Sequence, residues 1–186
     1  LFTNGWTASS TVQTTAELGT PSALLSAFAG HGDQTVAGSA PIGPGSGASS
    51  FLSVADPTTN RFLSLASMVV PSNDFFFANE NPQAFQIFDA SGAFLGPRTI
   101  QIFGSNVWDA GTEVNDVAFG AAFIVGDDIH DRVSQGGVVA LVFGGPDQTA
   151  YLNSILGKAT PYGYDISHLI SANDLIATIQ IEAVPE

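Results

Sequence analysis

Residues 64–116 read SLASMVVPSNDFFFANENPQAFQIFDASGAFLGPRTIQIFGSNVWDAGTEVND. Two polar turns in this stretch each follow a strand-like apolar run: residues 71–74 follow 68–70, and residues 109–113 follow 107–108. Both turns carry Asp together with Asn or Glu, and calcium binds several oxygen ligands at once. A carboxylate at the end of a buried strand is more commonly solvated and without a role, so the spacing leaves both interpretations open.

The same stretch resembles a known family. SMVVPSNDFF at residues 67–76 and WDAGTEVND at residues 108–116 resemble the two signature blocks of the spondin-N (F-spondin amino-terminal) domain family in order and separation. Residues 16–19 and 21–25 resemble a third block, and the resemblance covers roughly residues 10–182. It implies an extracellular antiparallel β-sandwich with a calcium ion at one end.

The resemblance also implies which residues hold that ion. Carried over position by position, it gives Asp74, Asp109 and Glu113 as the calcium ligands, with Asn115 and Asp116 as further candidates. Zinc is not expected, because the chain has no cysteine and no paired histidines.

A second acidic cluster, DDIHD at residues 127–131, follows the apolar residues 124–125. Such a cluster can hold another cation or can form an ordinary exposed turn. We favour the turn, since runs of charge usually lie on solvated surface.

The composition of the 186-residue chain indicates one globular domain with a substantial core, since 45% of its residues are hydrophobic. Only 11% are charged, and the formal net charge is −13. With four basic residues there is no basic footprint for phosphates, so nucleic acid is not an expected partner. No apolar run is long enough to span a membrane. Low charge with many Gly residues is typical of a β-rich secreted protein.

Short apolar runs separated by Gly, Asn and Pro turns predict an all-β fold. Expected strands lie at residues 49–54, 61–70, 85–87, 100–102, 114–125, 138–143 and 175–182. Short helices are expected at residues 22–29, and after Asp147, with Tyr151, Leu152, Ile155 and Leu156 on one face. The predicted fold is a single antiparallel β-sandwich over residues 1–182, with one or two short helices.

The tail AVPE at residues 183–186 resembles the start of the Val-Pro-Glu-Pro sorting signal of PEP-CTERM exported bacterial proteins, although an arbitrary chain end is the alternative. The first residue is Leu1 and not Met, so we expect that an upstream segment has been removed. Together these features predict an exported bacterial protein, located at the cell surface or outside the cell.

The sequence has neither an HExxH nor a Gly-x-Ser-x-Gly motif, and an enzyme is not expected. We expect a calcium-binding module in bacterial cell-surface adhesion or in extracellular matrix or filament assembly. The alternative is a module that binds glycans or small ligands, with Trp6, Trp108 and Tyr162 as exposed aromatic candidates.

The expected partners are other protein chains and, in the alternative, surface glycans. In the spondin-N family a β-strand precedes the segment that residues 1–20 match, whereas residues 1–10 have no period-two pattern. A sandwich that lacks one strand has a groove with unpaired backbone groups, into which another chain can add a strand. We expect a segment from outside this chain to fill the groove, either a donor strand from a neighbouring subunit, which predicts self-assembly by donor-strand addition, or the cleaved upstream piece left in place.

Overall fold

The computed structural model describes residues 1–29, 35–38, 41–118, 120–127 and 133–184. The α-helices within these ranges are α1 Ser10–Leu18, α2 Ser22–Phe28 and α3 Thr149–Ile155, and Gly104–Asn106 form a short 3-10 helix. The strands are β1 Phe62–Leu63, β2 Ala66–Met68, β3 Phe75–Ala78, β4 Phe85–Gln86, β5 Arg98–Phe103, β6 Val107–Asp109, β7 Ala140–Leu141 and β8 Leu175–Ile181. All strand pairs are antiparallel, so the β-rich antiparallel part of the prediction is confirmed.

The central sheet has the strand order β2–β3–β6–β7, and both of its faces are covered. Phe75 packs on one face with Tyr151 and Ile155 of α3, and Phe76 packs on the other face with Val12 of α1. A strand buried on both faces has a continuous apolar run instead of alternation. This explains the run of three phenylalanines in β3.

The predicted strand at residues 61–70 is divided between two sheets. β1 pairs with β4, whereas β2 pairs with β3 in the central sheet. At the break, the backbone N–H of Leu65 donates to the side-chain oxygen of Asn79 at 2.9 Å, in place of a strand neighbour. The third sheet contains β5 and β8, which pair from Arg98 opposite Ile181 to Phe103 opposite Leu175.

Helix α1 was not expected from the sequence. Ser9 precedes it and accepts a hydrogen bond from the N–H of Val12 at 3.3 Å, and Gly19 ends it at φ +62°. A serine before a helix and a glycine after it are recognised signals of helix ends. The many Thr residues of α1, which disfavour helices in isolation, concealed these signals.

The strand predicted at residues 49–54 is wrong. These residues form no ladder, and Phe51 is 79% exposed. The apolar pattern suits a strand, but none of the described strands pairs with these residues. The described part of 114–125 also consists of turns and irregular backbone instead of a strand, although Ala121, Ala122 and Ile124 are buried.

In α3, Tyr151, Leu152 and Ile155 are buried as predicted, but Leu156 lies outside the helix and is exposed.

The first six residues lie along the central sheet. The backbone N–H of Gly5 donates to the carbonyl of Val139 at 2.8 Å, and the N–H of Val139 donates to the carbonyl of Trp6 at 2.9 Å. The Phe2 ring packs edge-on against the rings of Phe76 and Trp108, with centroid distances of 5.2 and 4.9 Å. This N-terminal segment therefore covers part of the apolar face beside β7.

Candidate metal centre

The candidate site lies at one end of the central sheet, where β3 begins and β6 ends. Asp74 directly precedes β3, and Asp109 is the last residue of β6, opposite Phe75 in the ladder. The N–H of Ala110 donates to the backbone carbonyl of Asp74 at 3.1 Å, which fixes the two turns side by side. Asp74 is 0% exposed, and Asp109 is also buried. Strand pairing therefore places two carboxyl groups together in the interior.

One oxygen of Asp74 is held by the turn that follows β6. Its Oδ2 accepts hydrogen bonds from the N–H of Thr112 at 2.7 Å, the hydroxyl of Thr112 at 3.1 Å and the N–H of Glu113 at 3.0 Å. The turn can close because residue 111 is a glycine at φ +67°, where an added Cβ would lie 2.5 Å from the carbonyl oxygen of Val138. A side chain at this position would clash with the backbone.

The other oxygen of Asp74 has no partner among the described residues. Asp74 Oδ1 and Asn73 Oδ1 are both buried, and neither accepts a hydrogen bond from any described residue. The rest of Asn73 is fixed, since its N–H donates to the Tyr151 hydroxyl at 2.8 Å and its Nδ2 donates to the carbonyl of Val114 at 2.8 Å. A buried acceptor without a donor costs about 1–3 kcal/mol. Two such oxygens on adjacent residues are suited to a cation.

Asp109 is surrounded by donors. Its Oδ1 accepts from the N–H of Gly111 at 2.7 Å. Its Oδ2 accepts from the side-chain amides of Asn115 at 2.7 Å and Gln148 at 2.9 Å. The same Asn115 amide nitrogen also donates to Gln148 Oε1 at 3.1 Å. Two amide groups therefore surround one carboxylate oxygen.

Burial changes the acidity of both carboxyl groups. Loss of solvent, with a smaller contribution from the charge of Asp109, raises the pKa of Asp74 to about 7. Burial also raises the pKa of Asp109, which the hydrogen bonds from Gly111 and Asn115 oppose. Within the described residues, the one contact that can form an ion pair joins His168 Nε2 and Asp174 Oδ2 at 2.9 Å, and it includes neither Asp74 nor Asp109. Asp74 therefore needs a proton or a nearby cation to avoid a buried, uncompensated charge near neutral pH.

The five predicted ligands do not all meet. Asp74, Asp109 and Asn115 come together, and Glu113 is buried with its backbone N–H bound to Asp74. Asp116 accepts a hydrogen bond from the N–H of Ala118 at 2.8 Å and so stabilises its own turn. In the part of the chain that the structure describes, no three Asp, Glu or His side chains form a group that could hold a metal ion. A cation here would need amide oxygens as well.

Two residues of the site were missed from the sequence. Asn73 directly precedes Asp74 and has one of the unpartnered oxygens. Gln148 lies 39 residues from Asp109 in the sequence, and no local pattern marks it. The donor chemistry of the cluster, carboxylate and amide oxygens, fits a hard cation such as calcium.

The other predicted sites have different outcomes. Asp127 lies in a turn, with its N–H bound to the carbonyl of Ile124 at 3.1 Å, while residues 128–131 lie outside the described residues. Trp108 is not an exposed aromatic residue: it is 7% exposed, because Phe2 and the neighbouring strand cover it. Trp6 is 70% and Tyr162 is 41% exposed.

A scan against protein-family models finds no match, and neither does a search of curated protein sequences. Among the described helices, none has the length and apolar character required to cross a membrane.

Proposed function

We propose that this chain is an exported bacterial β-sandwich domain of spondin-like type. In this proposal it binds one calcium ion beside Asp74 and Asp109, and it serves in cell-surface adhesion or in extracellular matrix or filament assembly. The ligands are drawn from Asp74, Asp109 and Glu113, with amide oxygens nearby. The ion supplies positive charge that neutralises the buried carboxylates and ties the two turns together.

One observation carries the calcium part of the proposal. Asp74 Oδ1 and Asn73 Oδ1 are buried and unpartnered next to a second buried carboxylate. Removing an uncompensated charge from water costs several kcal/mol, so a fold that keeps two carboxylates inside needs compensation. A calcium ion beside Asp74 would compensate the charge and give its free oxygen a partner.

Two features support a role in assembly with other chains. β5 and β8 pair only with each other among the described residues, so each has an outer edge without a strand partner. Residues 41–55 have no charged side chain, and Phe51, Leu52 and Ile42 are exposed there. An uncharged apolar segment and open strand edges are the features that strand addition uses.

Thermal unfolding tests the calcium proposal. The protein is first freed of metal and then melted in chelator, in calcium and in magnesium. A ligand that binds only the folded state at about 100 times its dissociation constant adds about 2.7 kcal/mol to the free energy of unfolding. We expect a higher melting temperature in calcium than in chelator, with a smaller increase in magnesium. Equal melting temperatures in calcium and in chelator would refute the calcium site.

Light scattering tests the assembly proposal separately. We expect oligomers or fibres whose formation is reduced by Phe51→Asp, which places a charge on the exposed apolar segment. A strictly monomeric protein over a wide concentration range, with and without calcium, would refute self-assembly but would leave calcium binding to be judged by the melting experiment.

A further inference from the structure

The sequence contains one Asn-Gly pair, Asn4-Gly5, and both residues lie in an exposed turn of the N-terminal segment. The N–H of Trp6 donates to the carbonyl of Thr3 at 3.1 Å and closes this turn, with Gly5 at φ +78°. In an Asn-Gly pair the glycine nitrogen can attack the asparagine side-chain carbonyl, because glycine has no Cβ to hinder the approach. No atom outside the adjacent residues lies within 4 Å of a Cβ built on Gly5, so the surroundings leave that approach open.

The nitrogen that would attack is already hydrogen-bonded. The N–H of Gly5 donates to the carbonyl of Val139 at 2.8 Å, and Val139 is itself buried. Attack requires the Gly5 nitrogen to lose its proton and to approach the side chain of Asn4, and both changes break the bond to Val139. The Phe2 ring, which packs on the central sheet, holds the segment in this position. Docking of the segment therefore opposes the reaction.

We propose that Asn4 is a site of spontaneous deamidation that the docked N-terminal segment restrains, and that conversion of Asn4 releases this segment from the central sheet. Hydroxide removes the N–H proton of Gly5, the nitrogen forms a bond to Cγ of Asn4, and the side-chain amide leaves as ammonia. Water then opens the cyclic imide at either of its two carbonyls and gives aspartate or isoaspartate at position 4. The reaction consumes water only and involves no oxidation or reduction.

The products fit the docked position less well than asparagine. In isoaspartate the backbone runs through Cβ and Cγ, so it is one carbon longer between two attachments of the segment. These are the N–H of residue 4, which donates to Glu80 Oε1 at 3.3 Å, and the N–H of Gly5, which donates to Val139. Both products also add a carboxylate to the segment that contacts Glu80, in a chain with a net charge of −13, and like charges repel. Release uncovers the aromatic face that Phe2 covers.

Peptide mapping by mass spectrometry tests the site. Conversion of Asn4 is followed in mildly alkaline buffer in the folded wild type, in Phe2→Ala and in wild-type protein unfolded in urea. We expect the unfolded chain to react fastest and the folded wild type slowest. Because attack requires the segment to open, the population of open molecules sets the rate, and loss of the Phe2 contacts should raise it roughly tenfold or more. Phe51→Ala, on exposed surface, is the control and should react at the wild-type rate.

Three results would overturn parts of the proposal. Absence of conversion at Asn4 in the unfolded chain would refute the site. Equal rates in the folded and unfolded wild type, or in the folded wild type and Phe2→Ala, would refute restraint by docking.

Tryptophan emission tests release separately. Converted wild-type protein should emit further to the red as water reaches Trp108, which is 7% exposed in the docked state. Asn4→Gln is the matched control, because glutamine keeps the amide but would have to form a larger ring, and after the same incubation its emission should be unshifted. Equal emission from the converted wild type and incubated Asn4→Gln would refute release.

Discussion

The carboxyl groups of Asp74 and Asp109 are buried side by side at the ends of two paired strands, and their hydrogen bonding is unequal. Asp109 has donors on both oxygens, whereas Asp74 has three donors on Oδ2 and none on Oδ1. The charge of Asp74 is therefore not compensated on the side of its Oδ1. Several consequences of this asymmetry can be measured.

Asp74→Asn should stabilise the protein in chelator and destabilise it in calcium. In chelator near pH 8, the substitution removes a charge that burial disfavours, so the free energy of unfolding should rise by on the order of 1–3 kcal/mol. In calcium, the variant should be less stable than the wild type, because it lacks the stabilisation by the ion. Asp56→Asn, in an exposed turn, is the control and should change little in either medium. Destabilisation of Asp74→Asn by equal amounts in both media would contradict the account.

The stability of the metal-free protein should decrease as the pH rises toward 7 and beyond. The pKa of Asp74 is raised from 3.8 to about 7 in the folded state. Between pH 3.8 and about 7, the folded state binds more protons than the unfolded state. The contribution of Asp74 to the free energy of unfolding is therefore complete below pH 3.8 and is lost as the pH rises through about 7. Chemical denaturation at several pH values measures the slope. Asp74→Asn should show a flatter slope, and an identical slope would refute the assignment to Asp74.

Gly111→Ala should be strongly destabilising. Residue 111 has φ +67°, and its new Cβ would lie 2.5 Å from the carbonyl oxygen of Val138. Gly45→Ala is a matched control, because Gly45 has φ +73° but no atom within 4 Å of the added Cβ. The control should lose about 1–2 kcal/mol from backbone strain alone. We expect Gly111→Ala to lose more free energy of unfolding than this control, and its melting temperature should no longer rise in calcium. Similar losses in both variants would show that the turn can relax.

Phe2→Ala should loosen the N-terminal segment from the central sheet. The ring has two edge-on aromatic contacts, each worth about 0.5–1.5 kcal/mol beyond its burial. We expect a loss of about 2 kcal/mol, below the 3–5 kcal/mol of a fully buried phenylalanine. Tryptophan emission should shift to the red as water reaches Trp108. Phe51→Ala, on exposed surface, should change stability by less than about 0.5 kcal/mol. An unshifted spectrum in Phe2→Ala would contradict this packing.

The sequence predicts the parts of the fold that local patterns control. The spacing of Tyr151, Leu152 and Ile155 indicates the buried face of α3. β3 is absent from the expected strands, although its continuous apolar run is typical of a strand buried on both faces. Residues 49–54 have an equally good pattern, but no strand in the described part of the chain pairs with them. A strand forms only where a neighbour is present, and that condition cannot be read from local pattern.

The candidate site also contains residues that local sequence patterns predict and residues that they do not. Asp74 and Asp109 lie at the ends of apolar runs, and they are predicted as a pair only because residues 67–76 and 108–116 resemble two blocks of one family. Gln148 has no such signal, because it reaches the site only through the packing of α3 against the sheet. The free oxygens of Asn73 and Asp74 could not be inferred from sequence either, since hydrogen-bond satisfaction depends on the surrounding backbone.

Calcium titration of metal-free wild-type protein and Asp74→Asn by calorimetry tests the central claim most directly. The account predicts saturable binding of one ion per chain in the wild type and an affinity roughly tenfold weaker or more in the variant. Absence of binding in the folded wild-type protein, or equal affinity in both proteins, would contradict it.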